Sequence, residues 1–187
     1  KDFEKALEIN PTMIEVLNSI GNIYFNNLKQ YEKALEFFNK AIEIRSSFEL
    51  LYLNKSLALE KLNRKEEALE TLNYLLDFIN PDNSVALNDR ADFYRAKNDF
   101  KAAYKDIYKA ISIDNEYVIS FATLAEICLE DGKFEEFYLN LGIALSKGIT
   151  EKEMKGAKMV YQKVKNEERF ISLLSKYNLD MDEIFTE

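Results

Sequence analysis

Apolar residues recur along this chain with a period of 34 or 35 positions. Four columns of residues share this spacing, and most members of a column are similar in size. The columns are Ala6, Ala41, Leu75, Ala110 and Ala144; Phe3, Phe38, Leu72, Ile107 and Leu141; Gly21, Ser56, Ala91 and Ala125; and Ala34, Ala68, Ala103 and Phe137. Because separate columns share one period, the pattern predicts a tandem array of similar units that pack on their neighbours.

Within each unit the apolar residues predict two helices joined by a short turn. A small residue inside the first helix, such as Gly21, lets neighbouring helix axes approach to about 8–10 Å. In the first complete unit the pattern is carried by Leu17, Ile20, Gly21, Tyr24, Tyr31, Ala34, Phe38 and Ala41. These residues resemble the motif of the tetratricopeptide repeat. The resemblance covers about residues 1–148 and implies an all-α, right-handed superhelical solenoid of antiparallel helix pairs.

The register predicts how the units divide the chain. Residues 1–13 are predicted as the second helix of a truncated repeat, and 14–148 as four repeats near 14–47, 49–82, 84–117 and 118–148. Residues 149–187 are predicted as a C-terminal capping helix pair and tail, with helices at about 151–164 and 167–177. Since Lys1 falls inside a repeat, we expect a longer parent protein, and we expect the exposed apolar edge of the truncated repeat to support self-association.

Composition narrows the classes of partner and of chemistry. Lys and Arg total 25 and Asp and Glu total 33, so the formal net charge is −8, and we expect no nucleic-acid partner. The chain has no His, which removes the commonest general base and metal ligand, so we expect neither catalysis nor a cofactor. No apolar run reaches the roughly 18–20 residues of a membrane span, and no signal peptide is recognisable. These features favour a cytoplasmic protein.

Few residues suggest reactive chemistry. Cys128 is the single cysteine and occupies a position that is apolar in other repeats, which predicts a buried, inert thiol. Glu126 and Glu130, and likewise Asp89 and Asp92, have the spacing of neighbours on one helix face. In so acidic a chain such pairs are typical of a solvated face, so we expect no metal site.

The first helices of stacked pairs line a concave groove, where side chains one turn away from the packing columns are exposed. Several of these side chains are Asn, whose amide can both donate to and accept from the main chain of an extended peptide. The sequence therefore predicts a peptide-binding groove that favours one apolar anchor with Lys or Arg nearby. The predicted groove residues are Asn18, Asn22, Leu50, Leu53, Asn54, Leu57, Asn88, Asp89, Asp92, Thr123 and Glu126.

Alternative functions remain open at this point. One subclass of the family binds the C-terminal tails of chaperones with a carboxylate clamp. This chain resembles that subclass at Asn22 and Asn54, which match the two Asn positions of the clamp. Its basic positions hold Asn18, Val85 and Asp89 here, so we reject tail binding. Two alternatives to a groove that binds a peptide remain: an architectural scaffold that assembles a complex through repeat edges, and an accessory domain of a longer enzyme.

Overall fold

The structure is a computed structural model that describes residues 13–186 of the 187-residue chain. The predicted helix of the truncated repeat, and its apolar edge, lie outside the described residues. Residues 13–186 form helices and turns with no β-strand, which confirms the all-α prediction. The chain divides into two compact units, with the boundary between Ala86 and Leu87. The predicted division into repeats and a cap stays a prediction.

The amino-terminal unit is built from consecutive helices that pack on one another in chain order. These helices are α1 (Ile14–Asn26), α2 (Tyr31–Ile44), α3 (Glu49–Lys61) and α4 (Lys65–Tyr74). α1 packs on α2, α2 on α3 and α3 on α4, and α1 also contacts α3. Turns of only a few residues connect them, so neighbouring helices run antiparallel. The first helices of successive pairs, α1 and α3, are therefore neighbours.

Gly21 is the small residue at which the repeat pattern predicted a close approach of neighbouring helices in this unit. A Cβ atom added to Gly21 would lie 2.5 Å from Cε1 of Phe38 on α2, closer than carbon atoms can pack. Both residues are buried, and Phe38 has no exposed surface. The absence of a side chain at Gly21 thus lets the Phe38 ring lie directly against the α1 backbone.

A π-helical segment, Leu75–Ile79, continues α4. Its wider turn ends with the Asn80 amide donating to the Leu75 carbonyl at 2.8 Å. The second complete repeat, near 49–82, has one more residue at its carboxy-terminal end than the repeat pattern requires. A π turn accommodates an extra residue without breaking the helix. Leu75 and Leu76 stay buried, whereas Phe78 projects from the surface.

The carboxy-terminal unit contains most of α5 and all of the later helices. The helices are α5 (Ser84–Ala96), α6 (Phe100–Ile113), α7 (Val118–Glu130), α8 (Phe134–Ser146), α9 (Glu151–Gly156), α10 (Lys158–Tyr161), α11 (Glu168–Lys176) and α12 (Met181–Phe185). α6 packs on α7 and α7 on α8, while α10 contacts α7 and α11 contacts α8. Among the described helices, none has both the length and the apolar character needed to cross a bilayer.

The C-terminal segment differs from the predicted helix pair. A capping box between Thr150 and Glu153 starts α9, but the helix ends at Gly156, and Ala157 has non-helical angles of φ −107° and ψ 20°. The predicted helix 151–164 is therefore wrong as a continuous element. Glycine is a poor helix former, which favours a break at this point. The short helix α12 was not predicted.

The aromatic side chain of Phe137 explains why one column loses its small residue. Earlier repeats carry Ala34, Ala68 and Ala103 at this position. The Phe137 ring lies 6.4 Å from the rings of both Tyr161 and Phe170, measured between centroids, and all three residues are fully buried. The larger side chain thus fills the space that the C-terminal helices leave where they pack on α8.

Residues with positive φ occupy the turn inside each predicted helix pair. They are Lys29 (φ 53°), Asn63 (φ 59°), Asn98 (φ 58°) and Gly132 (φ 78°). Asn and Gly adopt this left-handed conformation at low cost, whereas Lys does not. The same turn therefore recurs in all four pairs, a regularity that the apolar spacing did not predict.

Candidate peptide-binding site

Helices α1 and α3 bring together the predicted groove residues of the amino-terminal unit. Asn54 on α3 donates from Nδ2 to Oδ1 of Asn18 on α1 at 2.8 Å. Leu50 and Leu57 expose 43% and 38% of their surface, and Leu53 is half-buried. The unit thus presents an asparagine pair flanked by exposed leucine side chains on one helix.

A cavity of about 320 Å³ opens beside these leucines. Leu50 and Leu53 form part of its wall together with Phe48, which was not among the predicted groove residues. This volume and the apolar lining suit one large side chain of a partner. We call it the Leu53 cavity.

Polar groups fix the rim of the Leu53 cavity. Glu49 and Asn83 line it, and Asn83 Nδ2 donates to Glu49 Oε2 at 2.6 Å. Asn80 Nδ2 donates to the same carboxylate oxygen at 2.9 Å. These two residues precede α5, and the 34-residue spacing between Glu49 and Asn83 is one repeat period. That spacing is the signal through which the sequence could have identified the rim.

Asn22 on α1 lies one turn beyond Asn18 and is partly exposed. The bond between Asn18 and Asn54 uses one amide oxygen and one N–H. Asn18 retains an amide NH₂ group and Asn54 retains a carbonyl oxygen, which are the complements of a peptide carbonyl and a peptide N–H. The pair is therefore chemically suited to extended main chain.

The groove residues predicted in the carboxy-terminal unit lie on α5 and α7 and are less exposed. Asn88 and Glu126 expose only 4% and 8% of their surface, and Thr123 is also buried. Asn88 donates from Nδ2 to Asp89 Oδ1 at 3.3 Å, while its own amide oxygen is buried without a hydrogen-bond partner among the described residues. Asp89 and Asp92 are partly exposed. The two aspartates therefore provide most of the accessible acidic surface predicted here.

Arg95, which was not among the predicted site residues, lies between the carboxylates of Asp92, Glu126 and Glu130. Its Nη2 atom lies 2.7 Å from Asp92 Oδ1, and its Nη1 atom lies 2.5 Å from Glu130 Oε2. Its Nε atom lies 3.9 Å from Glu126 Oε2. Burial of the guanidinium acts to lower the pKa of Arg95, but its carboxylate neighbours together outweigh burial and raise that pKa. Three of the four carboxylates that were expected to form a solvated face, those of Asp92, Glu126 and Glu130, therefore lie around one buried cation.

Glu126 is an internal group. Tyr161 Oη donates to Glu126 Oε1 at 3.1 Å, which connects α7 to α10. Burial, reinforced by the charge of Asp92, raises the pKa of Glu126 to about 8, although Arg95 and the Tyr161 hydrogen bond oppose the shift. Its carboxyl is therefore largely protonated at neutral pH and contributes little negative charge to the surface.

Cys128 is buried, as the sequence predicted. Tyr104 Oη lies 3.7 Å from its sulfur and donates to Asp131 Oδ2 at 3.2 Å. Burial raises the pKa of the Cys128 thiol, which disfavours the reactive thiolate. Within residues 13–186, no group of three or more Cys, Asp or Glu side chains is placed to hold a metal ion.

Comparison with known proteins identifies the repeat. The family model of the tetratricopeptide repeat matches residues 14–48, 50–77 and 85–117, which together make up just over half of the chain. No protein with a curated function matches the sequence.

Solved structures share the fold at low sequence identity. PilW, a widely conserved type IV pilus biogenesis factor, is 17% identical with a TM-score of 0.75, over 93% of this chain and 80% of its own. A tetratricopeptide repeat protein from Parabacteroides merdae ATCC 43184 is 17% identical with a TM-score of 0.76, over 97% of this chain and 73% of its own. YrrB, a TPR protein with an unusual peptide-binding site, is 17% identical with a TM-score of 0.63, over 99% and 93%. These likenesses show the shared fold, and the match of the family model over more than half of the residues shows that the chain belongs to the tetratricopeptide repeat family.

Proposed function

We propose that this protein is a non-catalytic interaction module that binds an extended segment of a protein partner along α1 and α3. The observation that carries the proposal is the Leu53 cavity of about 320 Å³ beside exposed leucine side chains. Tetratricopeptide arrays present concave surfaces for partners, and YrrB, which shares the fold, is described as having a peptide-binding site. The bound segment contributes one large apolar side chain to this cavity.

The apolar anchor supplies most of the affinity. Removing apolar surface from water gains about 25 cal/mol per Å², and a large side chain that fills a cavity is a typical hot spot. Leu50 and Leu53 line the cavity, and Leu57 extends the apolar surface along α3. Glu49 and Asn83 at the rim help to exclude water around the anchor.

The asparagines select an extended main chain over a helix, because a helix satisfies its own N–H and C=O groups internally. Asn18 and Asn54 lie close enough to bond one another, and a peptide can occupy the amide groups that this bond leaves unused. Asn22 adds a further amide one turn away on α1.

In this proposal Asp89 and Asp92 of the carboxy-terminal unit select Lys or Arg in the bound segment. Because Arg95 already offsets the charge of Asp92, the selection is modest and weakens as salt is added. Asn88, Thr123 and Glu126 offer a partner little surface, since all three are buried, and Asn88 supports Asp89 through a hydrogen bond.

Selection from a phage-displayed library of random peptides tests the proposal. Enriched peptides are expected to share one large apolar residue and to contain Lys or Arg. Leu53→Asp should abolish their binding, because it places a charge inside the apolar cavity. Leu139→Asp is the matched control, since Leu139 is an exposed leucine on α8. If both variants are folded by circular dichroism and both retain full affinity, the binding surface lies elsewhere and the scaffold alternative is favoured.

A further inference from the structure

A second cavity, of about 420 Å³, lies between α2, α3 and α4, and none of the predicted groove residues lines it. Tyr52, Lys55 and Leu59 of α3 contribute to its walls, as do Glu67 and Tyr74 of α4. We call it the Lys55 cavity. Its size suits one or two side chains of a protein partner.

Lys55 is the unusual group in this cavity. Its side chain is half-buried, and none of the described residues forms a hydrogen bond or ion pair with its ammonium group. Burial lowers the pKa of Lys55, while Glu67 acts to raise it and Arg64 acts to lower it further. The lysine has thus lost part of its hydration without gaining a direct anionic partner.

Glu67 is already committed to another cation. Arg64 donates from Nε and Nη2 to the two carboxylate oxygens of Glu67, with both distances at 2.6 Å. Such a bidentate pair directs the carboxylate oxygens toward the guanidinium. The carboxylate of Glu67 is therefore directed toward Arg64 rather than toward Lys55.

An exposed aromatic pair adjoins the Lys55 cavity. The ring of Tyr74 stacks on Tyr52 with centroids 5.5 Å apart, and Phe78 lies 5.2 Å from Tyr74. Phe78 exposes 76% of its surface, more than other large apolar residues except Met159 among those described. Its place in the π-helical segment, one turn beyond Tyr74, directs this ring into solvent. Exposed aromatic side chains beside a cavity are typical of protein contact surfaces.

We propose that the Lys55 cavity and the Tyr74 and Phe78 rings form a second docking surface, for a protein partner that presents an Asp or Glu side chain beside an aromatic side chain. The partner's carboxylate supplies the anion that Lys55 lacks, and its aromatic ring packs on Tyr74 and Phe78. This surface is separate from the Leu53 cavity, so a partner bound at each would make the protein a bridge between them.

Glu70 limits the affinity of this surface. It also lines the cavity, is exposed, and repels an incoming carboxylate. Replacing Glu70 by Gln should therefore strengthen binding of an acidic partner by about twofold to fivefold, the range expected of an exposed charge. A basic partner would show the opposite effect.

Two capped peptides labelled with fluorescein test the proposal by fluorescence anisotropy. Their sequences are Ser-Glu-Phe-Leu-Ser and Ser-Gln-Phe-Leu-Ser, so they differ only in the carboxylate. The Glu peptide should bind the wild-type protein at least about tenfold more tightly than the Gln peptide, as expected for a charge-assisted bond. In Lys55→Gln this preference should disappear. Lys65→Gln, which removes an exposed lysine at the start of α4, should leave it unchanged.

Two further measurements separate this surface from the groove. Phe78→Ser should weaken the Glu peptide about tenfold without affecting the fold, because Phe78 is mostly exposed. Nuclear magnetic resonance of Lys55 should show its pKa rising when the Glu peptide binds. Equal affinity for the two peptides, failure of the Glu peptide to bind, or a preference that survives Lys55→Gln would overturn the proposal. Loss of binding in Leu53→Asp with no effect of Phe78→Ser would place the peptide in the groove, and would also overturn it.

Discussion

Glu126→Gln tests whether a buried carboxyl makes the stability of the carboxy-terminal unit depend on pH. The substitution keeps the size of the side chain and an oxygen that can accept from Tyr161. It removes the titration, and it removes the attraction between the carboxylate and Arg95, whose Nε atom is 3.9 Å away. Any difference in pH dependence between wild type and variant therefore reports the proton on Glu126.

The sign of the effect follows from the raised pKa. An unperturbed glutamate has a pKa of about 4.3, whereas that of Glu126 in the folded protein is about 8. Between these values the folded state binds the proton more strongly than the unfolded state. The stabilisation from protonated Glu126 is thus fully present below about pH 4.3 and is lost progressively as the pH rises toward about 8.

The magnitude follows from the same difference. One proton of difference corresponds to about 1.4 kcal/mol of unfolding free energy per pH unit. From about pH 5.5 to about pH 7.5, the wild type should lose about 2 kcal/mol relative to Glu126→Gln. At about pH 5.5 the two proteins should be similar in stability, because both carry a neutral, hydrogen-bonded group at this position.

Urea unfolding followed by circular dichroism, at a series of pH values, measures this difference. Glu60→Gln is the control, since Glu60 is an exposed residue on α3 and its loss should leave the pH dependence of the wild type unchanged. Carbon-13 spectra of the Glu126 carboxyl give its pKa independently. Parallel stability curves for wild type and Glu126→Gln, or a carboxyl that titrates near pH 4, would refute the reasoning.

The remaining predictions concern packing and turn geometry, and thermal or urea unfolding measures each. Gly21→Leu should destabilise the protein by about 1–3 kcal/mol through overpacking against Phe38, and unchanged stability would contradict the close approach at 2.5 Å. Lys29→Asn should stabilise by about 0.5 kcal/mol, because Asn tolerates the positive φ of 53° better than Lys. Gly132→Ala should destabilise by about 1 kcal/mol for the same reason, and a stabilising effect would contradict its φ of 78°.

The repeat period predicted the packing of the fold well, because packing repeats with the backbone. Phe38, Leu72, Ile107 and Leu141 share one column and are all fully buried. The period could not predict the C-terminal helices, where the columns end and Phe137 packs against Tyr161 and Phe170. The break at Ala157 depends on local backbone preference and on how α10 packs, neither of which the repeat pattern encodes.

The accessible surface was harder to predict than the core. Helical spacing predicted that Leu50 and Leu57 lie on an exposed face of α3, and both are exposed. Residues seven positions apart lie on the same face of a helix, so their exposed fractions are similar. The same spacing could not distinguish Asp92 from Glu126, which face the same cation at very different depths. The depth of a side chain depends on the neighbouring helix, and so on residues about one repeat away.

Polar contacts between successive repeats indicate how the neighbouring helix of a side chain could be identified from the sequence. Several side-chain hydrogen bonds join residues 34 to 36 positions apart: Asn18 with Asn54, Glu49 with Asn83, Arg95 with Glu130, Glu126 with Tyr161, and Glu135 with Arg169. Equivalent positions on successive first helices, or on successive second helices, become neighbours in a stacked array, so an offset of one period should bring complementary groups together. Searching the sequence for opposite charges at this offset would have paired Arg95 with Glu130 from the spacing alone. The same search would also have paired Lys55 with Asp89, 34 positions later, and Asp89 does not line the Lys55 cavity, so an offset of one period gives candidate pairs that only the packing can confirm or reject.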